Sequence, residues 1–306
     1  MLAVIVLAGF TNLRNTIAIG SKKWQMARTP NTLRVMTWNV EDFINDFPLS
    51  DSACAPRIAM YNAIKQYNPD VLCMQEYRDV ENDNYYVSTR KDLESFGYKY
   101  NILSKDSIIL QYKPDTMYTG VAIFSKIPFA DSGTLNIINR KAPENMIYTD
   151  ILLDKKPVRI FTAHLLSFSL YIDTLVKPVA HDNIYDLTLQ RKQNVQHKIR
   201  GVEIKHAKEV AIIRRELAKS PYPIVYCGDI NSVPASYTYN FLKGNLQDAF
   251  LEKGSGLGVT FYKLAPTLRI DVCLPDNKLQ VLQCTVPQLY LSDHFPVVTD
   301  LAWKKE

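Results

Sequence analysis

The chain has 306 residues, of which 47% are hydrophobic and 22% charged, and it contains no internal repeat, low-complexity tract or linker. These properties exclude a repeat architecture and favour one large soluble α/β domain over residues 31–306, while a net charge of +5 fits an anionic partner without identifying one. The five cysteines include no Cys-x-x-Cys pair, which favours buried, reduced thiols over a disulfide framework or a zinc site.

Residues 1–30 form an N-terminal hydrophobic segment and tail. Residues 1–10 are mostly apolar, but Arg14 ends the stretch before the roughly 20 apolar residues that a membrane-spanning helix needs. No Lys or Arg precedes the apolar run, as one would in a signal peptide. The Lys-Lys-Trp sequence at 22–24 resembles the flank of a membrane segment. We therefore expect the end of a membrane anchor, with a signal peptide or a core-packed terminus as alternatives, and favour a membrane-associated or exported protein over a cytoplasmic one.

Short apolar runs separated by turn residues predict strands, and longer amphipathic segments predict helices. The predicted strands lie, in chain order, at 33–40, 71–76, 107–112, 120–125, 147–153, 158–164, 224–227, 268–274 and 297–301. The predicted helices lie at 56–67, 187–219 and 236–242. Because strands are many and helices few, the pattern predicts two packed sheets covered by helices.

The longest predicted helix, at 187–219, carries nine basic and three acidic side chains. Such a helix could flank a phosphate-rich polymer. A solvated helix face is the simpler interpretation, with Glu209 paired with Lys205 or Lys208. We therefore expect this helix to be a charged outer surface rather than a binding element.

Polar side chains follow or interrupt the predicted buried strands at several points along the chain. They are Asn39, Glu76, His164, Asp229, Asn231, Asp271, Asp293 and His294. Hydrolysis of a phosphodiester needs a metal to neutralise charge, a group to aim the water, and donors to hold the non-bridging oxygens. Magnesium takes hard oxygen ligands and retains several waters. Since these groups could converge on one edge of the sheets, the pattern predicts a phosphoesterase site.

Each of these residues also has a structural interpretation when it is considered alone. Glu76 could pair with an arginine at a strand end, and His164 could be a hydrogen-bonded core histidine. Asn39 could cap a turn, and Asp293 could cap the turn before the last strand. It is their joint presence, in this order, that favours the catalytic interpretation.

Six short motifs in chain order resemble those of the endonuclease/exonuclease/phosphatase superfamily and are similar to those of uncharacterised bacterial members. They are Thr37-Trp38-Asn39-Val40, Gln75-Glu76, Thr162-Ala163-His164-Leu165, Gly228-Asp229-Ile230-Asn231 with its continuation to Ser236, Arg269-Ile270-Asp271, and Ser292-Asp293-His294-Phe295-Pro296. The resemblance covers residues 33–302. It implies an α/β (α+β) four-layer sandwich, in which two packed mixed β-sheets are flanked by helices.

The resemblance also implies a metal and a water-activating group. Magnesium is the expected cofactor, with manganese as a substitute. Glu76 would be its principal ligand, and Asn39 and Asp293 would contribute to the same site. Asp229 would orient or deprotonate the attacking water, and the metal would act as Lewis acid and template for in-line attack.

The remaining motif residues would bind and polarise the phosphate. The resemblance implies that His164 donates to the phosphate and that Asn231 holds one of its oxygens. Asp271 would orient His294 and fix its tautomer, as a carboxylate–imidazole pair does. Together with Asp229, these residues form the expected catalytic and substrate-binding set.

The substrate implied by these motifs is a phosphate ester, either nucleic acid or a lipid headgroup. A nuclease-like phosphodiesterase is the leading hypothesis, with a phospholipid, sphingomyelin-type or phosphomonoester hydrolase as the alternative. The stretch from Asp229 to Ser236 differs from the Asp-Leu-Asn-Tyr-Arg form typical of inositol phosphatases, which disfavours that subgroup. A non-catalytic binding module on the same scaffold is the hypothesis from another class. No obligate protein partner is evident, and membrane association would occur through the N-terminus.

Overall fold

The computed structural model describes residues 13–20, 23–45, 55–80, 88–112, 115–138, 144–168, 184–265 and 267–305. Its helices are α1 (13–16), α2 (Glu41–Asn45), α3 (Ala55–Tyr67), α4 (Thr89–Ser95), α5 (Ile184–Ala218), α6 (Tyr237–Lys243) and α7 (Ala249–Lys253). Its first strands are β1 (Ala18–Ile19), β2 (Leu33–Asn39), β3 (Val71–Val80), β4 (Tyr100–Leu103), β5 (Ser107–Tyr112), β6 (Asp115–Ser125) and β7 (Asp131–Ile138). The later strands are β8 (Glu144–Leu153), β9 (Lys156–His164), β10 (Ile224–Asp229), β11 (Ser255–Gly256), β12 (Asp271–Pro275), β13 (Leu279–Thr285) and β14 (Val297–Trp303).

Most of these strands form two mixed sheets. The larger has the order β13-β14-β2-β3-β6-β4, with β5 also paired with β6, and the smaller has the order β12-β10-β9-β8-β7. Each contains one parallel pair, β2 with β3 in the larger sheet and β9 with β10 in the smaller, while the other pairs are antiparallel. The short strands β1 and β11 pair with each other outside both sheets. The predicted pair of mixed sheets flanked by helices is confirmed.

The apolar side chains divide into three buried layers that hold this arrangement together. Between the sheets, Val35 and Ile123 of the larger sheet belong to the same core as Ile160 and Val225 of the smaller one. A second core joins the outer face of the larger sheet to α3 and α4, and a third joins the outer face of the smaller sheet to α5 and α6. Since full burial of such a side chain contributes about 1.5–3 kcal/mol, these layers stabilise a helix–sheet–sheet–helix sandwich.

The strand register brings the polar strand ends to one edge of the sandwich. Asp229 at the end of β10 lies beside His164 of the parallel strand β9 and opposite Asp271 of the antiparallel strand β12. Gly228 permits the close approach of β9, because a Cβ at this position would lie 2.2 Å from the carbonyl oxygen of Ala163. The glycine in the motif therefore has a packing role next to the polar groups.

Several element boundaries differ from the sequence prediction. The predicted strand at 268–274 begins only at Asp271, because Leu268 forms just an isolated bridge to Phe261. β7 and β13 were not predicted, since polar residues interrupt their apolar residues and leave only short apolar stretches. Within the described ranges every cysteine is buried and unpaired, as the sequence predicts.

The predicted membrane anchor falls mainly on residues 1–12, which lie outside the described ranges. Among the residues that the structure does describe, we find no helix with the length and apolar character needed to cross a bilayer. Membrane association through the N-terminus therefore stays a prediction.

Candidate active site

The structure brings the polar residues predicted from the motifs together at the edge of the two sheets. Asn39 Nδ2 donates to Glu76 at 3.0 Å and, across the gap between the sheets, to Asp229 at 3.2 Å. The Nε2 atom of His164 lies 3.7 Å from the Glu76 carboxylate and 3.6 Å from that of Asp229. Since Asn39 and Glu76 belong to the larger sheet and His164 and Asp229 to the smaller, the site exists only when both sheets are packed.

Asp229 lies at the centre of this cluster. Its Oδ2 atom accepts from Asn39 and lies 3.6 Å and 3.7 Å from the Nε2 atoms of His164 and His294. Its side chain is only 1% exposed. Burial raises the pKa of Asp229, and Asp271 raises it further, while the two imidazoles oppose the shift. A carboxylate that is buried but flanked by polar hydrogens is suited to hold and polarise a water molecule.

Two site residues have an unusual backbone conformation. Glu76 has φ of 48° and lies where the register between β3 and β6 shifts, so it occupies a β-bulge. Asn231 has φ of 47° in the turn that follows β10. A left-handed conformation costs a non-glycine residue of the order of 1–3 kcal/mol and is typical of functional sites. The bulge redirects Glu76, whose side chain is 40% exposed, towards the open part of the site.

His294 and Asp271 form a tight carboxylate–imidazole pair. His294 Nδ1 lies 2.8 Å from Asp271 Oδ2, so the ring donates through Nδ1 and its Nε2 atom faces the cluster. Burial alone would lower the pKa of His294, but Asp271 and Asp229 more than offset it and raise this pKa to about 10. The backbone is held as well, since Trp38 Nε1 donates to the carbonyl oxygen of His294 at 3.0 Å. His294 is therefore a fixed cation that can donate to a phosphate oxygen.

His164 is held by an amide instead of a carboxylate. Asn231 Nδ2 lies 3.1 Å from His164 Nε2 and also donates to the carbonyl oxygen of Leu165 at 2.9 Å. Because a carbonyl oxygen can only accept, the amide nitrogen faces the ring, and His164 Nε2 accepts in this arrangement. The His164 side chain is 23% exposed, so it is accessible to a ligand.

Glu76 and Asp293 present accessible oxygens that could hold a metal. Burial, followed by the neighbouring carboxylates Glu41 and Glu76, raises the pKa of Asp293 to about 6, although His294 and Lys263 oppose the shift. The Oδ1 atom of Asn39 already accepts from the backbone amide of Glu41 at 3.1 Å. Asp229, Asp271 and His294 also have ligand atoms within 4.8 Å of one another, but all three are buried.

Sequence reasoning missed two residues beside the site. Glu41 accepts from the backbone amide of Asp293 at 3.1 Å, and its carboxylate pairs with Lys263 at 3.1 Å. Glu41 follows Asn39 by two residues, a spacing that could have indicated a role. Lys263 gives no such signal, because it lies in an irregular segment far from Asp293 in the chain.

The prediction for Glu209 was wrong. This residue does not lie on a solvated face with Lys205 or Lys208, because it is completely buried. Its Oε2 atom accepts from the backbone amide of Leu166, two residues beyond His164. The helical charge pattern could not reveal this contact, since its partner is a backbone group of a distant segment.

Comparisons with known proteins identify the family and the fold of the chain. The model of the Endonuclease/Exonuclease/phosphatase family matches residues 36–294. Protein angel homolog 2 of Danio rerio is 25% identical over 250 residues, which cover 75% of this chain and 37% of that protein, so the chain spans little more than a third of its length.

Two solved structures share the fold. The human Nocturnin catalytic domain with bound sulfate anion superposes with a TM-score of 0.64 at 18% identity, covering 91% of this chain and 100% of that one. D. rerio TDP2 complexed with single strand DNA product gives a TM-score of 0.58 at 14% identity, covering 88% of this chain and 98% of that one.

Proposed function

Because the chain belongs to the Endonuclease/Exonuclease/phosphatase family, a family of phosphoric ester hydrolases, we propose that it hydrolyses a phosphodiester bond with the help of a divalent cation. The observation that carries the proposal is the arrangement around Asp229. Its Oδ2 atom lies within hydrogen-bonding or near-contact distance of Asn39, His164 and His294 at the edge where the two sheets meet. A buried carboxylate next to two imidazoles can aim a water molecule and bind a phosphate at the same place.

The residues present fit a hard divalent cation such as Mg²⁺ or Mn²⁺. Glu76 and Asp293 supply carboxylate oxygens that are partly exposed, and burial together with the nearby carboxylates Glu41 and Glu76 raises the pKa of Asp293. Mg²⁺ retains waters and uses few carboxylates, so this accessible pair suits it better than the buried group around Asp271. When bound, such a cation would neutralise charge on the phosphate and act as a Lewis acid.

The protein's own side chains supply the remaining catalytic functions. Asp229 accepts a proton from the attacking water and directs the water's lone pair to the phosphorus. The bond from phosphorus to the leaving oxygen breaks as the new bond forms, and the leaving oxygen takes a proton from solvent. Asn39 fixes the Asp229 and Glu76 carboxylates. His294, kept cationic by Asp271 and Asp229, donates from Nε2 to a non-bridging oxygen as negative charge develops. The Asn231 amide orients the His164 ring.

A nucleic acid is the substrate class that we propose first. The similarity in fold to a TDP2 structure that contains a single strand DNA product supports this choice over a lipid headgroup. The mildly basic charge of the chain is compatible with a polyanion. We therefore propose a nuclease-like phosphodiesterase.

The test is a substrate panel with purified protein. We expect hydrolysis of bis-p-nitrophenyl phosphate and of DNA or RNA with Mg²⁺ or Mn²⁺, and none after addition of EDTA. Sphingomyelin and phosphoinositide vesicles form the lipid arm of the panel. Glu76→Gln should lower kcat by at least about 100-fold, because it removes a charged ligand while keeping the side-chain volume.

A matched control is Glu252→Gln, which makes the same chemical change on the exposed surface of α7. It should leave kcat unchanged. Full activity of Glu76→Gln, or activity that persists in EDTA, would contradict metal-dependent hydrolysis at this site. Hydrolysis confined to the lipid arm would keep the phosphoesterase and overturn the nuclease assignment.

A further inference from the structure

The segments that leave β9 and β10 both contact the long helix α5. Leu166 follows His164 by two residues, and Ser232 follows Asn231 directly. Both are held by side chains from α5, a helix that contributes none of the motif residues described above. The contact therefore joins the two strand ends that carry His164, Asp229 and Asn231.

His206 is the first of these side chains. It is completely buried, its Nε2 atom lies 2.7 Å from the carbonyl oxygen of Leu166, and its Nδ1 atom lies 3.0 Å from Ser232 Oγ. Because the carbonyl can only accept, Nε2 carries the proton and donates to Leu166. In the neutral ring, Nδ1 then accepts from the Ser232 hydroxyl. The ring edge also packs against Phe168, with centroids 5.2 Å apart.

Glu209 is the second, one turn further along the same face of α5. It is completely buried, and its Oε2 atom accepts from the backbone amide of Leu166 at 3.3 Å. The two α5 side chains therefore hold both the amide and the carbonyl of Leu166. Contacts to both sides of one residue fix the orientation of the adjoining peptide planes.

The peptide next to Leu166 connects directly to the site. The carbonyl oxygen of Leu165 accepts from Asn231 Nδ2, which also contacts His164 Nε2. The amide of Leu165 donates to the carbonyl oxygen of Asp229 at 3.0 Å. These contacts thus connect α5 to His164 through Leu166 and Leu165, and to Asn231 through Ser232.

Burial of these polar groups is unfavourable unless it is compensated. The neighbouring buried positions of α5 are apolar, as at Val202, Val210 and Ile213, and an apolar pair would pack against the sheet without desolvating an imidazole and a carboxylate. Buried polar contacts such as these instead hold one conformation of the groups they contact. A role in orienting neighbouring groups would explain why His206 and Glu209 are buried here.

We propose that His206 and Glu209 are positioning residues that set the orientation of His164 and Asn231 for the reaction. This inference rests on the proposed function. Neither residue touches the reacting atoms. They act through the Leu165–Leu166 peptide and through Ser232, and they keep the His164–Asn231 contact aligned with Asp229.

Kinetics of His206→Phe, which removes both ring nitrogens but retains an aromatic ring, form the first test. Because displacement of a catalytic group by about 1 Å can lower the rate on the order of 100-fold, kcat should fall by about 10-fold to 100-fold. KM should stay within about threefold, since the loss lies in the transition state. His206→Gln should recover most of kcat, because its amide can donate to Leu166 and accept from Ser232.

Two comparisons separate positioning from loss of stability. Ile213→Ala removes buried side-chain atoms from the same helix, so it should lower the midpoint of urea unfolding at least as far as His206→Phe while leaving kcat unchanged. In a double-mutant cycle with His164→Ala, the loss from His206→Phe should be much smaller than in the wild type. The proposal would be overturned if the two losses of kcat multiply in the double variant, or if Ile213→Ala lowers kcat as much as His206→Phe does.

A spectroscopic test does not depend on turnover. The chain has five histidines, so the imidazole Cε1–H signal of His164 can be assigned by its disappearance in His164→Ala. This signal should shift or broaden in His206→Phe and stay in place in Ile213→Ala. An unmoved signal together with an unchanged kcat would overturn the positioning role and leave the proposed hydrolase intact. A shifted signal in a protein that hydrolyses nothing on the panel would overturn the hydrolase and keep the placement of His164 by α5.

Discussion

Asp248 and Asp271 are both buried carboxylates that face a positively charged side chain, yet their hydrogen bonding differs. Asp248 is surrounded by four donors: Arg269 Nη1 and the Tyr239 hydroxyl, each at 2.6 Å, and the backbone amides of Phe250 and Leu251. Asp271 Oδ2 faces His294 Nδ1 at 2.8 Å, and within the described part of the chain no donor reaches its Oδ1 atom. One carboxylate is saturated, and the other is not.

Under the proposed function, the difference separates a structural charge at Asp248 from a charge that serves the site at Asp271. A buried polar atom without a partner costs about 1–3 kcal/mol, so such atoms are rare unless they have another use. The saturated carboxylate of Asp248 caps α7 and neutralises Arg269, which accounts for its burial. For Asp271, no donor among the described residues reaches Oδ1, and the proposed orienting role towards His294 accounts for this carboxylate. The same substitution at both positions tests this distinction.

Asp271→Asn should have the largest effect of these variants, and that effect should be on kcat. An asparagine that presents its NH₂ group to His294 Nδ1 removes the charge that keeps the ring cationic, so the ring becomes neutral, with Nδ1 as acceptor and its proton on Nε2. We expect kcat to fall by more than about 100-fold, because a neutral imidazole stabilises the developing negative charge less than a cation does. The free energy of unfolding should change by less than about 1 kcal/mol, since only one hydrogen bond is altered.

Steady-state kinetics and urea unfolding of the same preparation measure both quantities. A large loss of stability with little loss of kcat would mean that Asp271 is a structural ion pair, and the distinction from Asp248 would fail.

Asp248→Asn makes the matched change at the saturated carboxylate. It leaves the Arg269 guanidinium buried without its counter-charge and turns an acceptor into a donor beside the Tyr239 hydroxyl. We expect the free energy of unfolding to fall by about 3 kcal/mol, with kcat of the folded protein unchanged. Urea unfolding gives the first value, and kinetics below the unfolding transition give the second. A reduced kcat without a loss of stability would contradict this expectation.

The sequence predicts this distinction only in part. Motif order and apolar periodicity predict the two sheets, and they place Asp271 among the site residues, because both are local properties of the chain. The saturation of Asp248 depends on Arg269 and Tyr239, which come from separate segments. Nothing in the spacing shows which donors will surround a given carboxylate once the chain has folded.

The α5 contacts show the same limit of prediction from local sequence patterns. His206 and Glu209 lie in a helix whose charge pattern favours a solvated surface, and only tertiary packing reveals that they bind Leu166 and Ser232. The bulge at Glu76 was also unpredictable, because it arises from the register between β3 and β6. Local patterns thus predict which groups are present, while pairing across segments decides how they are held.

Asn231→Gly extends the comparison to an amide in the site. Glycine tolerates the left-handed backbone of this position, so the substitution removes the amide contact to His164 without adding strain. We expect kcat to fall by about 100-fold, the scale for loss of one preorganised donor. Asn31→Gly is the control, because Asn31 also has positive φ but lies exposed in a turn before β2. It should leave kcat unchanged, and equal losses in the two variants would point to a backbone effect instead.

Ser236→Ala should have the smallest effect of these variants, and it should change only the free energy of unfolding. Ser236 is part of the motif that follows Asp229, but its hydroxyl accepts from the backbone amide of Tyr239 at 3.1 Å and caps α6. Loss of such a cap lowers the free energy of unfolding by about 1 kcal/mol. Ser236→Asp should restore it, because a carboxylate also accepts at a helix N-terminus. The contrary outcome is a fall in kcat of about 10-fold or more in the alanine variant that Ser236→Asp does not reverse even though it restores stability. This would show that a saturated hydroxyl can still serve the reaction. Saturation would then no longer separate structural from functional groups in this protein.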